Sequence, residues 1–240
     1  MQVKPYEQSS ESKKKQVEKM FDNISPTYDT LNRSLSFGID KFWRSLLVNA
    51  VKKENPQFIL DMATGTADVA IALSKKMNAQ IIGADISEKM LEVGRRKIDK
   101  LELEKQIKLE SGDSEHLKYQ SNTFDAATAA FGVRNFENLQ LGLSELHRVL
   151  KPGKKAFILE FSKPRNPIIA GLYWFYSSKL IPLLGRIIAK DYSAYVYLCE
   201  SVRAFPDGDD FKKIAQNAGF SVVTDRRVTF GVVSLYTCVK

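Results

Sequence analysis

FILDMATGTADVAIALSKKMNAQIIGAD, residues 58–85, decides the fold. It reads as an apolar strand, a short turn with a single glycine, an amphipathic helix, and a second strand that ends on a carboxylate. A unit of this kind opens a doubly wound parallel sheet and places its turn at the carboxyl end of the first strand, where open α/β sheets bind ligands.

The turn narrows the ligand. A dinucleotide fingerprint needs glycines at three fixed places, and here those places hold Ala63, Gly65 and Asp68. A phosphate on the helix beginning near Ala67 would meet the Asp68 carboxylate where the helix dipole favours an anion. A turn flanked by Asp61 and Asp68 suits a ligand with a positive end instead. Asp85, about twenty residues beyond Gly65, is placed to accept hydrogen bonds from a ribose diol. S-adenosylmethionine combines these features: a sulfonium, an ammonium, a ribose and no phosphate. The plain alternative is a βα unit with a tight turn and no ligand.

Outward from this unit, strands and helices keep alternating. Helices are predicted from about Asp68 to Met77, from Ser87 to Leu101 and near Leu139 to Leu150, with strands at IKLESGD, FDAATAAFG and KAFILEFS. Ser87 is a good N-cap, and Pro152-Gly153 stops the third helix. FSVVTDRRV and TFGVVSLYTCVK follow each other closely, which predicts a terminal hairpin. The expected fold is α/β: a doubly wound, mostly parallel sheet with a terminal antiparallel strand. Residues just beyond the strand ends, Thr64 to Asp68, Asp85, Asp113-Ser114 and Phe131 to Asn135, are the ones to inspect.

At 240 residues and 44% hydrophobic content, one domain is expected over 16–240, with a helical cap over 16–52. MQVKPYEQSSESKKK (1–15) is polar and lacks an apolar core, which predicts a disordered tail, no secretory signal and a cytoplasmic location. Cys199, Cys238, His116 and His147 supply no zinc set, so no metal is expected. The net charge of +8 is unevenly spread: Lys151 to Lys190 holds eight basic residues against Glu160 alone. Within it, IIAGLYWFYSSKLIPLLGRIIA (168–189) is apolar and aromatic but interrupted by Lys179, Pro182 and Arg186. Spanning a bilayer would cost about 2.5 to 3.5 kcal/mol for each central charge. The expectation is a helical lid over about 166–205 that meets the inner face of an anionic membrane through basic side chains and Tyr173, Trp174 and Tyr176. Its alternative is core that covers the sheet edge. Nucleic acid is not expected as a partner, because these aromatics sit in aliphatic runs and not in polar company.

DMATGTAD, GADIS, GDSEHL and LKPGKKAFILEFSKP resemble the successive motifs of class I S-adenosylmethionine-dependent methyltransferases. VEKMFDNISPTYDTLNRSLSFGIDKFWR, FGVRNF, LEFSKP and YLCESVRAFPDGDDF narrow the resemblance to the ubiquinone/menaquinone biosynthesis C-methyltransferase family, from Val17 to Phe220. The resemblance implies Thr66 and Gly65 at the cofactor in the turn, Asp85 at the ribose hydroxyls, and Asp113 with Ser114 at the adenine. Ala63 and Ala67 stand where the family often has glycine, and Ala130 where a serine occurs. The implied reaction is C-methylation of a prenylated quinol, demethylmenaquinol to menaquinol. Alternatives are the ubiquinone-pathway ring, a small-molecule N- or O-methyltransferase, an RNA methyltransferase, or a non-catalytic cofactor-binding scaffold. A homodimer is left open.

Methyl transfer to an aromatic carbon needs that carbon made nucleophilic by loss of a ring hydroxyl proton, whose pKa is about 10. Arg134 is the first candidate to stabilise the oxyanion, its alternative being a surface salt bridge. Asn135 would orient the same oxygen, or be a turn residue. Tyr28 and Asp29 in SPTYDTLN would cover the pocket, or merely cap and pack a helix. His116 is a weaker candidate base, more simply a solvated residue, and His147 is structural.

Overall fold

In the computed structural model, which describes residues 3–6, 8–180 and 192–240, three helices precede the sheet: α1 (Lys13–Ile24), α2 (Tyr28–Leu35) and α3 (Asp40–Lys52). Alternation then begins with β1 (Phe58–Met62), α4 (Asp68–Ser74), β2 (Gln80–Asp85), α5 (Glu88–Lys100) and β3 (Ile107–Ser111). It continues through β4 (Phe124–Ala130), α6 (Leu139–Val149), β5 (Leu150–Phe161), α7 (Pro167–Phe175) and α8 (Tyr192–Ala204). The chain closes with α9 (Asp209–Asn217) and the hairpin β6 (Val222–Val228) and β7 (Val233–Val239).

The seven strands lie in the order β3-β2-β1-β4-β5-β7-β6, parallel except for β7, which runs antiparallel to both neighbours. This is the predicted doubly wound sheet with its antiparallel terminal strand. The order changes direction between β1 and β4, so a crevice opens at their carboxyl ends, where Met62 pairs with Ala84 on one side and Ala129 on the other.

β1 carries no alternation of polar and apolar residues because both its faces are covered. Ile59 packs with Leu47 and Val51 of α3 and Leu73 of α4, whereas Leu60 and Met62 face Leu143 and Leu146 of α6 and Phe211 of α9. Ser87 caps α5 as expected, its Oγ accepting from the Met90 backbone N–H at 3.2 Å. α4 stops short of the predicted end, at Ser74. His147 packs edge-on against Phe220.

A third cluster builds the cap: Val17, Met20 and Ile24 of α1, Leu31 and Leu35 of α2, Met90 of α5, and Tyr195 and Tyr197 of α8. α1 begins inside the stretch read as a tail. Three consecutive lysines look like a solvated run, yet Lys13 is buried, its Nζ donating to the Phe136 carbonyl at 2.8 Å and the Arg134 carbonyl at 3.1 Å. The stretch read as a lid has two characters: α7 buries none of its residues, while α8 packs into the cap. Pro182, Arg186 and Lys190 lie outside the described residues. Among the described residues no helix is long and apolar enough to cross a membrane.

Candidate active site

The chain leaves β1 through a turn in which Ala63 (φ 53°), Gly65 (φ 56°) and Ala67 (φ 65°) are all left-handed. Only Gly65 adopts this without a Cβ penalty, which is about 1–2 kcal/mol for other residues. The neighbouring strand holds the turn in place: Asp85 at the end of β2 accepts the Gly65 N–H on Oδ2 at 2.8 Å and the Ser87 N–H on Oδ1 at 2.9 Å. On the other side, a Cβ on Gly132 would stand 2.5 Å from that of Ala63, so the loop after β4 lies directly on the turn. Burial pushes the Asp85 carboxyl up from its ordinary value, against the pull of its backbone N–H bonds.

Two of the acids behave differently from one another. Asp61 is 1% exposed and accepts from the Thr64 hydroxyl and the Thr128 hydroxyl, both at 2.6 Å. Burial raises its carboxyl to about 6, in spite of those two bonds. Asp68 is not the open carboxylate that the turn suggested: it pairs with Lys97 of α5 and sits 3.6 Å from Arg44 of α3. Thr66 donates to Asp29 Oδ1 at 2.6 Å, and Lys97 reaches Asp29 Oδ2 at 3.0 Å. Asp29 therefore tethers α2 to the turn and lines neither cavity described below.

Two adjoining cavities occupy the crevice. The smaller, of about 70 Å³, is lined by Gly65, Asp85, Asp113, Ser114 and Lys14 of α1 among others. Lys14 pairs with Asp113 at 2.8 Å and Glu115 at 3.1 Å, closing α1 over this end. The larger, of about 350 Å³, is lined by Asp61, Thr66, Tyr28, Arg134 and Asn135 together with an aromatic wall. Tyr28, Gly65, Phe131 and Asn135 border both. In the wall, Phe131 and Phe161 lie 4.7 Å apart between centroids, and Trp43 packs on both. His116 is exposed and lines neither cavity.

Arg134 makes a buried ion pair, not a surface one. Its Nη1 donates to Glu160 Oε1 at 2.7 Å and to the Phe131 carbonyl, and its backbone N–H donates to Glu160 Oε2 at 3.3 Å. Burial raises the Glu160 carboxyl, with the Arg134 charge opposing. Among the described residues four buried side-chain atoms have no hydrogen-bond partner, and three of them, Arg134 Nε, Asn135 Oδ1 and the Tyr197 hydroxyl, belong to the large cavity. Buried polar atoms are normally paired, so a cluster of three is prepared for a polar ligand edge. Burial also lifts the Tyr28 hydroxyl above its ordinary value, the Arg134 charge acting the other way.

The model of the ubiE/COQ5 methyltransferase family matches residues 9–240, nearly the whole chain. The chain belongs to this family. It is 47% identical over 240 residues to a demethylmenaquinone methyltransferase of Bacteroides fragilis, covering 99% of this chain and 97% of that one. It is 40% identical to the ubiquinone/menaquinone biosynthesis C-methyltransferase UbiE of Geotalea daltonii, covering 94% and 96%. It is 34% identical to the mitochondrial 2-methoxy-6-polyprenyl-1,4-benzoquinol methylase of Xenopus laevis, covering 97% and 86%. Among solved structures, the [4+2]-cyclase SpnF superposes with a TM-score of 0.64 at 18% identity, covering 95% and 96%. A methyltransferase of Aquifex aeolicus gives 0.58 at 19%, covering 80% of this chain and 87% of that one. These two share the fold. The chain is a methyltransferase enzyme of the class I fold.

The sheet brings together Gly65, Asp85, Asp113 and Ser114 at one cavity and Thr66, Asp61, Tyr28, Arg134 and Asn135 at the other. Sequence reasoning missed Lys14, Glu160 and Tyr197. Lys14 sat in a charge run, and Tyr197 in a stretch read only as lid. Glu160 carried a signal, because a lone acid inside the apolar strand AFILEF has to be paired when buried.

Proposed function

We propose that the enzyme transfers a methyl group from S-adenosylmethionine to a ring carbon of demethylmenaquinol, giving menaquinol. The supporting observation is the large cavity itself: about 350 Å³ with an aromatic wall, lined by the residues of three unpartnered polar atoms and by the glycine turn. The turn fits a cationic cofactor. Asp85 and the Asp113-Ser114 pair would hold its ribose and adenine, while Asp61, Gly65 and Thr66 would face its methionine end. The bound cofactor supplies an electrophilic methyl on a sulfonium.

The chain's own residues then prepare the ring. Arg134, its guanidinium fixed by Glu160, offers Nε to the ring oxygen and favours the oxyanion; Asn135 and Tyr28 orient that oxygen. The aromatic wall excludes water and aligns the carbon with the methyl. The oxygen would give up its proton and the carbon would take the methyl as the bond from methyl to sulfur breaks and leaves a neutral thioether; the carbon's own hydrogen would then leave as a proton while the oxygen regains one, so that one proton is released overall. The prenyl tail requires access from a lipid phase, so the enzyme works as a peripheral protein on the inner face of the membrane. Purified enzyme incubated with labelled S-adenosylmethionine and a quinone extract should label one menaquinone-sized product in a mass spectrum. Label confined to a ubiquinone precursor, or to no quinone, counts against the reading.

Asp61 gives the cofactor site a pH signature. A cation is favoured only by the ionised carboxylate, which is lost as pH falls through about 6. Affinity for S-adenosylmethionine should therefore weaken by up to about tenfold per pH unit below that value, measured by calorimetry from about pH 7.5 to about pH 5. The ligand-free fold has the opposite dependence, because a raised carboxyl stabilises the fold at low pH and loses that contribution as pH rises through about 6. Asp61→Asn should bind weakly and without this slope. A wild-type affinity that is flat over the range would remove Asp61 from the cation's surroundings.

A further inference from the structure

Ten large hydrophobic side chains are exposed among the described residues, and seven of them belong to three segments that are far apart in the chain. The α2–α3 corner contributes Phe37, Ile39 and Phe42; α7 contributes Ile168, Leu172 and Phe175; the turn between β6 and β7 contributes Phe230. The fold brings these segments to one place. Phe37 and Ile39, Tyr173 and Tyr176, and Thr229 and Val232 all border the large cavity. The Tyr176 hydroxyl donates to the Leu35 carbonyl at 2.6 Å, and the Trp43 indole N–H donates to the Thr229 hydroxyl at 2.7 Å, so α7 and the β6–β7 turn are both pinned to the α2–α3 region.

Two of these side chains are displayed at a conformational cost. Phe37 (φ 51°) is 79% exposed and Phe230 (φ 56°) is 78% exposed, both in left-handed backbone that bulky side chains avoid. Among the described residues the Phe37 ring meets only that of Tyr176, at 6.1 Å between centroids, and Phe230 has no ring contact. α7 is likewise apolar with no buried residue. An apolar face of this kind marks an interaction site. Its charge says with what: residues 33–45, 162–178 and 226–233 hold seven basic side chains; Arg44 is paired with the buried Asp40, and Lys163 and Arg227 are paired with Asp207, which leaves Arg33, Lys41, Arg165 and Arg226 outside the salt bridges of the described residues.

We infer that these three segments form one docking face that inserts into an anionic lipid surface, with the large cavity opening through it. Phe37, Leu172 and Phe230 would enter the acyl boundary while Arg33, Lys41, Arg165 and Arg226 stay at the headgroups. A prenylated ring would then pass from the bilayer to the aromatic wall without crossing water. This rests on the quinol reading above, and adds the α2–α3 corner and the β6–β7 turn to the single stretch that composition picks out.

The test uses the triple variant Phe42→Ser, Leu172→Ser and Phe230→Ser, none of which lines either cavity. Leu101→Ser with Leu141→Ser, also exposed but on other segments, is the control. Co-sedimentation with phosphatidylglycerol vesicles should fall by at least about tenfold for the triple variant and stay unchanged for the control. Methylation of a short-chain, water-soluble demethylmenaquinol should persist in both. Wild-type binding by the triple variant overturns the docking face, as does equal loss in the control. A wild-type dimer that the triple variant dissolves, with no vesicle binding by either, overturns it too and assigns the face to a second copy. Vesicle binding that behaves as expected, with no methylation of any demethylmenaquinol by the wild type, leaves the face standing and removes the quinol reading alone.

Discussion

Arg134→Lys is expected to lower kcat at least about tenfold while leaving the affinity for S-adenosylmethionine near normal. The guanidinium is buried with Glu160 and spends Nη1 on both Glu160 Oε1 and the Phe131 carbonyl, while its backbone N–H reaches Glu160 Oε2. A lysine ammonium retains the charge and can follow Glu160, but it has no second, rigidly placed donor equivalent to Nε. The ring oxygen would lose its partner as charge develops on it, which is an effect on the transition state. Arg134→Met removes the cation altogether and leaves Glu160 buried without a counter-charge, an arrangement that costs about 3–5 kcal/mol of stability. Steady-state kinetics with a soluble demethylmenaquinol, alongside thermal melts, separate the two consequences. A Lys variant with wild-type kcat would reduce Arg134 to a structural partner of Glu160.

Asp85→Ala should weaken S-adenosylmethionine binding by roughly 1.5 to 3 kcal/mol, the scale for hydrogen bonds to a charged group. Both carboxylate oxygens already accept backbone N–H groups, from Gly65 and Ser87, so the side chain shapes the glycine turn as well as facing the small cavity. Removing it orphans two N–H groups and frees a turn that already carries Ala63 and Ala67 in left-handed backbone. Asp85→Asn should fall between, because an amide oxygen serves one N–H while the amide nitrogen opposes the other. Calorimetry on folded protein measures both variants. Undiminished affinity in Asp85→Ala would place the ribose elsewhere.

What was legible in the residues was whatever lies next to a strand end. The turn after Met62, the acid ending β2, and Asp113-Ser114 beyond β3 all follow from reading strands and inspecting what comes next, since a parallel sheet collects its carboxyl ends at one edge. What was not legible depends on the cap. Asp68 looked like an open carboxylate because the local rule sees its helix N-terminus, and sees neither Lys97, twenty-nine residues on, nor Arg44 from α3. Asp29 looked like part of a lid because SPTYDTLN resembles the family's pattern; its bond to Thr66 exists only once α2 crosses the turn. The start of α1 was hidden in KKK for the same reason. Lys13 is buried against carbonyls of residues more than a hundred positions away, a contact that composition cannot report.

The most direct test is to give the purified enzyme a synthetic demethylmenaquinol and S-adenosylmethionine carrying a carbon-13 methyl, and to locate the label by NMR. The expected result is one methyl on the substrate's unsubstituted ring carbon, with the chemical shift of an aryl methyl and no methoxy signal. A labelled methoxy group, or label on a small-molecule amine with none on the quinol, would contradict it.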